Sequence, residues 1–212
     1  MQLVIGNKNY SSWSMRPWVL LRQAGIAFEE RKIRFDDMTP DSPFKRAVSA
    51  LSPAAKVPVL IDGELAVWDS LAIAEYLAER FPEHRLWPEE RSARARARSI
   101  CAEMHSGFAA LREHCPMNIE LTQPEVGERV LREQPAVAAD LARIVALWTE
   151  LLQAHGGPLL FGRFTIADAY YAPVVMRLRS YALPLPAVRD WVADALAERD
   201  FVPVDEPYRA HR

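Results

Sequence analysis

The chain has 212 residues, half of them apolar and a quarter charged, with a formal net charge of −2 at pH 7. This composition is that of an ordinary globular protein, and it gives no reason to expect nucleic acid or an anionic membrane surface as a partner. No apolar run approaches the ~18 residues of a membrane span, and the first residues lack the pattern of an export signal. We therefore expect a cytoplasmic protein without a membrane segment.

The first eighty residues alternate strand and helix signals. The apolar run "QLVIG" predicts a buried strand. A helix is expected from Pro17 to Gly25, and because proline is tolerated only in the first helical turn, it should begin between Ser14 and Pro17. The stretch "FEERKIRF" predicts a second strand, whose polar centre suits a sheet edge or a wet face.

The second half of this region predicts a hairpin followed by a helix. The stretch "FKRAVSALSP" suits a short helix or an irregular crossover. In "VPVLIDGELAVW", two apolar runs flank Asp62-Gly63, the residue pair that a tight type I′ turn prefers. The next helix has Asp69 or Ser70 as its N-cap. The predicted order is βαβαββα.

Strand signals almost vanish beyond the proline-containing stretch "RFPEHRLWPEE". We predict an α/β domain over residues 1–80, a linker over 81–88 and an all-helical domain over 89–212. The stretch "ERSARARARSICAEMHSGFAALREH" predicts one long helix bounded by Pro116. Apolar residues at helical spacing predict another from Val137 to His155.

Two further helices are expected near the end of the chain. The stretch "TIADAYYAPVVMRLRSY" opens with Thr165 and Asp168 in a capping-box arrangement, and its helix should kink or break at Pro173. The stretch "PAVRDWVADALAERDF" predicts a final helix.

The two cysteines and the scattered histidines indicate no metal site. Cys101 and Cys115 form neither a CxxC pair nor a Cys/His cluster, so a dithiol redox motif and a zinc site are both unsupported. The two cysteines could still pair with each other, but in the absence of an export signal we interpret both as reduced thiols.

The stretch "NYSSWSMRPWVLL" places three serines where a helix begins. One serine suffices for an N-cap. Unpaired backbone N–H groups and the positive dipole end also make this position favourable for a thiolate or a carboxylate. Helix capping and ligand binding both stay open for Ser11 and Ser12.

Two other segments allow a ligand-binding interpretation beside a purely structural one. In "KVPVL", the residue before the proline is extended and exposes its backbone to a strand-like ligand. The Val57-Pro58 bond is either cis, which marks a specialised turn, or trans at the start of an edge strand. Asp69 and Ser70 either hold an amino-acid-like end of a ligand or act as an ordinary cap.

In this order, these segments and "FTIADAYYAP" resemble the cytosolic glutathione transferases over essentially the whole chain. The resemblance implies a thioredoxin-like glutathione-binding domain, an all-helical substrate-binding domain, glutathione as co-substrate and a homodimer. The stretch "SSWSMRPWVLL" is most similar to the zeta-class motif S-S-C-S-x-R. The family's capping box, matched by Thr165 and Asp168, has folding significance.

The resemblance also assigns site residues. Ser11 falls on the zeta catalytic serine, with Ser12 as the alternative. Glutathione contacts are implied for Ser11, Ser12, Ser14, Arg16, Lys56, Val57, Pro58, Asp69 and Ser70. The sequence departs from zeta enzymes where Trp13 replaces their cysteine and Ala109 replaces a glutamine, which puts isomerase chemistry in doubt.

The function implied is that of a glutathione transferase, acting in detoxification, that ionises the glutathione thiol and presents it to a small hydrophobic electrophile. Two alternatives stay open: a glutathione-dependent isomerase of the maleylacetoacetate type, and a transferase-like module that binds partners without catalysis.

Overall fold

The computed structural model describes residues 1–35 and 39–184, which separate into two compact units, one over residues 1–86 and one from Trp87 onward. The helix predicted in "PAVRDWVADALAERDF" lies outside the described residues. The first unit contains β1 (Gln2–Ile5), α1 (Ser12–Gln23), β2 (Glu29–Lys32), α2 (Pro43–Ser49), β3 (Val59–Asp62), β4 (Leu65–Val67), α3 (Ser70–Arg80) and a 3-10 turn (Pro82–His84). The predicted order βαβαββα is confirmed.

The four strands form a mixed sheet in the order β2-β1-β3-β4. Strand β1 runs parallel to β2 and antiparallel to β3, and β3 runs antiparallel to β4. The apolar residues Leu3, Val4 and Ile5 are buried in the centre of this sheet, because β1 has neighbours on both sides. The polar strand β2 lies at one edge, as its composition predicts.

The β3–β4 turn differs by one residue from the prediction. Asp62 pairs with Leu65, so the central turn residues are Gly63 and Glu64 rather than Asp62 and Gly63. Gly63 has a φ of 61°, and Glu64 has no positive φ, which is the pattern of a type II′ turn. Asp62 is held in the strand, where its carboxylate accepts a 2.7 Å hydrogen bond from the Tyr76 hydroxyl.

Helix α1 begins earlier than proline chemistry alone predicts. Its first residue is Ser12, so the prediction of a start between Ser14 and Pro17 is wrong. Pro17 removes only the ladder bond that its own N–H would have made. A turn that precedes the helix, closed by the Ser11 N–H on the Asn7 carbonyl at 2.8 Å, leads directly into it.

The core of the first unit lies between the sheet and two helices. Helices α1 and α3 pack against each other. Leu20 and Leu21 from α1 and Ile73 and Leu77 from α3 are almost completely buried. This packing fixes the positions of the N-terminal ends of α1 and α3 relative to the sheet.

The described part of the second unit, up to residue 184, contains helices and no strand. These helices are α4 (Arg91–Ser106), α5 (Ala109–His114), α6 (Pro124–Glu133), α7 (Pro135–His155) and α8 (Ile166–Ser180). Helix α8 packs on α4, while α5 and α6 pack on α7. In residues 1–35 and 39–184, none of the helices combines the length and the apolar character that crossing a membrane requires.

The long helix predicted up to Pro116 is two helices. The helix is interrupted at Gly107 and Phe108, where Phe108 adopts a left-handed conformation with φ of 52°. The break is stabilised from outside the segment, because the Leu111 N–H in the first turn of α5 donates to the Asp140 carboxylate of α7 at 2.9 Å. Since this cap comes from a distant residue, the local pattern could not reveal it.

Helix α6 is missing from our predictions because of a glycine in its interior. A Cβ at Gly127 would lie 1.9 Å from the Tyr181 carbonyl oxygen. The close approach requires glycine, a residue that lowers helix propensity. Tertiary packing therefore determines this helix.

The predicted end of α7 and the predicted capping box of α8 agree with the structure, whereas the interruption that we allowed at Pro173 is absent. Helix α7 ends at His155, before Gly156, and α8 begins with the predicted capping box. Helix α8 continues through Pro173 without interruption.

Both cysteines are reduced thiols in the core of the second unit. Cys101 and Cys115 have no exposed surface. Burial raises the pKa of the Cys115 thiol to about 11, although the Arg177 guanidinium opposes this rise. Neither thiol is disposed to act as a nucleophile.

Candidate functional site

Three of the segments that were selected from the sequence meet at one edge of the sheet, the edge where β1 and β4 end and β3 begins. In the β1–β3 pairing, Val4 lies opposite Val59, so the end of β1 adjoins the start of β3. In the β3–β4 pairing, Leu60 lies opposite Val67, so β4 ends at the same edge. The serine segment follows β1, Val57 and Pro58 precede β3, and Asp69 and Ser70 follow β4. The register therefore brings these three segments to a common edge.

The Ser11 hydroxyl does not cap helix α1. Ser11 occupies the N-cap position, but its side chain accepts no hydrogen bond from the backbone of the first turn. Its hydroxyl instead donates to the Ser14 Oγ at 2.8 Å, and the Gly6 N–H donates to the same Ser14 oxygen at 3.1 Å. Both serine side chains are buried.

Ser12, Ser14 and Arg16 lie within the first two turns of α1, so Ser12 is inside the helix and not ahead of it as the predicted start implied. The reason is the early start of α1. The Arg16 Nη1 donates to the Ser12 carbonyl at 2.8 Å, and its guanidinium lies 4.2 Å from the centre of the Trp13 ring. Arg16 is almost completely buried, and these contacts hold the start of the helix.

Ser12 differs from Ser11 in its side-chain contacts. Its N–H donates to the Tyr10 carbonyl at 2.9 Å. Within the part of the chain that the structure describes, its hydroxyl forms no hydrogen bond with another protein group. Ser12 is 9% exposed, against 6% for Ser11. Both hydroxyls therefore stay available as candidates.

The Val57-Pro58 peptide bond is cis, as one of our two alternatives predicted. The alternative of a trans bond opening the strand is wrong. The β1–β3 ladder ends at Val59, so the Val57 backbone lies just beyond it. Val57 is half-buried, Pro58 is buried and Lys56 is exposed.

The Asp69 carboxylate caps helix α3. Its Oδ1 accepts a 3.0 Å hydrogen bond from the Leu71 N–H, so Asp69 rather than Ser70 is the N-cap residue. Asp69 is exposed, whereas Ser70 is buried. A capping carboxylate on the surface can still face a cation, so capping does not exclude a ligand contact.

The N-terminal end of α1 is electrostatically suited to an anion. The first turn of α1 contains no acidic side chain. The partial positive charge of the helix end is thus not neutralised from within that turn. Among the described residues, no group of three or more His, Cys, Asp or Glu side chains could hold a metal ion.

The contact between the Ser14 and Ser11 hydroxyls was not predicted from the sequence. A signal existed, because residues three apart at a helix start lie on the same face. Gly6 was also missed. A Cβ at Gly6 would lie 2.4 Å from the Phe35 ring, so this close contact requires glycine and places the Gly6 N–H beside Ser14.

The chain matches two family models. Residues 10–80 match the glutathione S-transferase N-terminal domain, and residues 89–194 match the glutathione S-transferase C-terminal domain. It is 31% identical to a probable maleylacetoacetate isomerase of Caenorhabditis elegans over 177 residues, which covers 82% of this chain and 78% of the relative. It is 27% identical to a zeta-class glutathione S-transferase of Euphorbia esula over 168 residues, which covers 78% of this chain and 71% of the relative.

A solved structure shares the fold. It is a glutathione transferase homolog from Burkholderia gl BGR1 with bound glutathione, and it superposes with a TM-score of 0.69 at 24% identity. The superposition covers 95% of this chain and 94% of that chain. The expected fold class, a thioredoxin-like unit with an all-helical one, is confirmed.

Proposed function

The chain belongs to the glutathione S-transferase family, and from this premise we propose that it is an enzyme that binds glutathione, ionises its thiol and presents the thiolate to a small hydrophobic electrophile. The observation that carries the proposal is the Ser11 hydroxyl, which lies buried at the start of α1 without capping it. A solved relative with bound glutathione supports the choice of ligand.

We propose Ser11 as the thiolate-stabilising residue, with Ser12 as the alternative. The backbone of Val57 pairs with the cysteinyl part of glutathione. Val57 precedes the cis Pro58, directly before the first residue of β3. Asp69 and Ser70 hold the γ-glutamyl end, where the exposed carboxylate meets the ammonium group. The remaining assigned contacts are Ser14, Arg16 and Lys56, of which Arg16 supports the helix start through Ser12.

The energy that this role needs matches what the helix start can supply. A thiol with a pKa near 8.5 is only a few per cent thiolate at neutral pH. Lowering the pKa by about two units needs roughly 2.7 kcal/mol of preferential anion stabilisation. One charge-assisted hydrogen bond together with a helix N-terminus is of that order. The thiol proton is lost to solvent.

A thiol titration tests the role of Ser11. In Ser11→Ala, the pKa of bound glutathione should rise by about one unit or more, because one charge-assisted hydrogen bond is lost. Glutathione affinity should change little, since Val57, Asp69 and Ser70 hold the rest of the ligand. The absorbance of the thiolate, followed against pH, gives both pKa values. An unchanged pKa in Ser11→Ala with a raised one in Ser12→Ala would transfer the role to Ser12.

Two alternative functions predict different assay results. The relative named a probable maleylacetoacetate isomerase favours glutathione-dependent isomerisation of a cis-dienoic acid, although Trp13 stands where zeta enzymes have cysteine. A non-catalytic module would bind glutathione or a partner without turnover. Assays with an activated aryl halide and with a cis-dienoic acid, each with and without glutathione, separate the three.

We also propose a homodimer in the cytoplasm, organised as a glutathione-binding domain over residues 1–80, a linker over 81–88 and a substrate-binding domain over 89–212. The residues matched by the two family models support this division. Light scattering at micromolar concentration tests the dimer, and a monomer mass would contradict it.

A further inference from the structure

Ser14 lies beneath Ser11 in a chain of hydrogen bonds that begins at the sheet. The Gly6 N–H, just after β1, donates to the Ser14 Oγ at 3.1 Å. The Ser11 hydroxyl donates to the same oxygen at 2.8 Å. Ser14 is 2% exposed and Ser11 is 6% exposed, so Ser14 is the more deeply buried of the pair.

While the Ser11 hydroxyl donates to Ser14, its proton is not available to a ligand. A hydroxyl has one proton to donate and two lone pairs that accept. Ser11 can therefore donate to a sulfur only after its O–H rotates away from Ser14. The oxygen–oxygen distance of 2.8 Å suits a hydrogen bond in either direction.

We propose that Ser14 is a positioning residue that acts on the ligand thiolate through Ser11, by reversing the direction of their hydrogen bond when glutathione binds. In the reversed state, the Ser14 O–H donates to the Ser11 oxygen and the Ser11 O–H donates to the sulfur. The two hydroxyls only rotate, and no O–H bond breaks. This inference rests on the proposed function, in which Ser11 faces the thiolate.

The Gly6 N–H makes the reversal favourable. It donates to the Ser14 oxygen in both states, so that oxygen keeps a fixed partner while its proton turns. A hydroxyl that accepts one hydrogen bond becomes a stronger donor of the next, because consecutive hydrogen bonds polarise one another. The backbone N–H therefore strengthens Ser14 as a donor, and Ser14 strengthens Ser11. Arg16, the charged residue of this turn, donates to the Ser12 carbonyl at 2.8 Å.

The test is a double-mutant cycle read by the pKa of bound glutathione. Ser14→Ala should raise this pKa by about half a unit, the contribution of a lost cooperative hydrogen bond, and lower the rate at neutral pH about 1.5-fold. In the Ser11→Ala background, adding Ser14→Ala should leave the pKa where Ser11→Ala already put it. Ser14→Thr, which keeps the hydroxyl, should restore a nearly normal pKa.

Three results would overturn the inference, and they differ from a failure of the proposed function. An unchanged thiol pKa in Ser14→Ala would show that Ser11 acts alone. An equal rise with and without Ser11 would show that Ser14 contacts the ligand directly. A rise in Ser14→Thr as large as that in Ser14→Ala would indicate a packing defect. Failure of the proposed function would appear instead as an unchanged pKa in both Ser11→Ala and Ser12→Ala, or as no glutathione binding at all.

A buried control serine and a second substitution guard against loss of folding. Ser42 is as buried as Ser14, and its hydroxyl accepts from the Lys45 N–H at 3.1 Å. Ser42→Ala should lower the unfolding midpoint without moving the thiol pKa. If Ser14→Ala does not fold, Ser14→Cys keeps the volume but is a weak donor, and the pH–rate profile of the folded protein should show the same shift.

Discussion

Helices α1 and α8 both begin at a hydroxyl residue, but the two hydroxyls have different partners. At α8, the Thr165 hydroxyl accepts from the Ala167 N–H at 3.3 Å. The Asp168 carboxylate accepts from the Thr165 N–H at 2.8 Å and from the Leu160 N–H at 3.0 Å. At α1, the Ser11 hydroxyl accepts nothing from its helix and bonds to another side chain. The Thr165 hydroxyl therefore stabilises the start of α8, whereas the Ser11 hydroxyl forms no hydrogen bond with the backbone at the start of α1.

The difference gives a criterion for separating a helix start that is proposed to bind a ligand from a structural one. Residue type does not separate them, since serine and threonine are both good caps. The hydrogen-bond partner of the hydroxyl group separates the two kinds of helix start. Asp69 at the start of α3 is intermediate, because its carboxylate caps Leu71 and is also exposed. Four substitutions or conditions test this ordering.

The largest effect is expected at Asp168. Asp168→Ala removes a fully buried carboxylate and leaves the Leu160 and Thr165 N–H groups without their acceptor, which should lower the free energy of unfolding by about 3–5 kcal/mol. Chemical denaturation measures the loss. Glu90→Ala is the matched control, because the exposed Glu90 carboxylate also accepts from two backbone N–H groups at a helix start. A loss at Glu90 as large as that at Asp168 would contradict the role of burial.

The second effect is the pH dependence of stability. Burial raises the pKa of Asp168 from 3.8 to about 6. Between these values the unfolded chain is ionised at this site while the folded chain is protonated, so the free energy of unfolding falls as pH rises from 4 to 6. The fall from this group should reach about 3 kcal/mol.

Other carboxylates act in the opposite direction, so the measurement compares wild type with Asp168→Asn. Hydrogen bonds from Ser92 lower the pKa of Glu90 to about 2, which stabilises the fold above that pH. Subtracting the two stability–pH curves isolates Asp168. A flat difference between pH 4 and 6 would show that Asp168 titrates normally.

The third effect compares the two hydroxyls directly. Thr165→Ala should lower the free energy of unfolding by about 2 kcal/mol, because it removes a buried cap. Ser11→Ala should cost less than 1 kcal/mol, since only one side-chain hydrogen bond is lost. Thermal unfolding of both variants provides the comparison. Equal losses would make Ser11 a structural residue like Thr165.

The smallest effect on stability is expected for Asp69→Asn. Asparagine caps helices as well as aspartate does, so stability should change by only a few tenths of a kcal/mol. Loss of the charge should raise the Kd for glutathione roughly fivefold, as expected for an exposed ion pair of about 1 kcal/mol. Calorimetry measures the affinity. Asp62→Asn is the control, because Asp62 lies at the opposite edge of the sheet and should leave the Kd unchanged.

Local patterns predicted the strand order along the chain, the hairpin and the capping box, because each depends on residues close in sequence. They failed where distant contacts decide. The break at Gly107 depends on Asp140 of α7, and α6 depends on the close approach of Gly127 to Tyr181. Helix α1 is a different case, because the turn that lets it start ahead of Pro17 is local and was not recognised in the sequence.

The site followed the same division. The segments of Ser11, Val57 and Asp69 could be selected from local capping and proline patterns and from the family resemblance, whereas the strand pairing that brings them to one edge was not predicted. The partners of the hydroxyls could not be predicted in the same way. Whether Ser11 accepts from the backbone or donates to Ser14 depends on the rotation of one side chain. The same sequence is compatible with both orientations, so sequence patterns cannot distinguish them.

The burial of both cysteines has a practical consequence for work with this protein. An enzyme that activates a thiol towards electrophiles risks alkylation of its own thiols. Here Cys101 and Cys115 have no exposed surface, and they are the two cysteines of the whole chain. The native protein should therefore resist inactivation by electrophiles of the kind that the proposed function involves. A single cysteine introduced on the surface would react selectively with a fluorescent or spin label, without prior removal of native thiols.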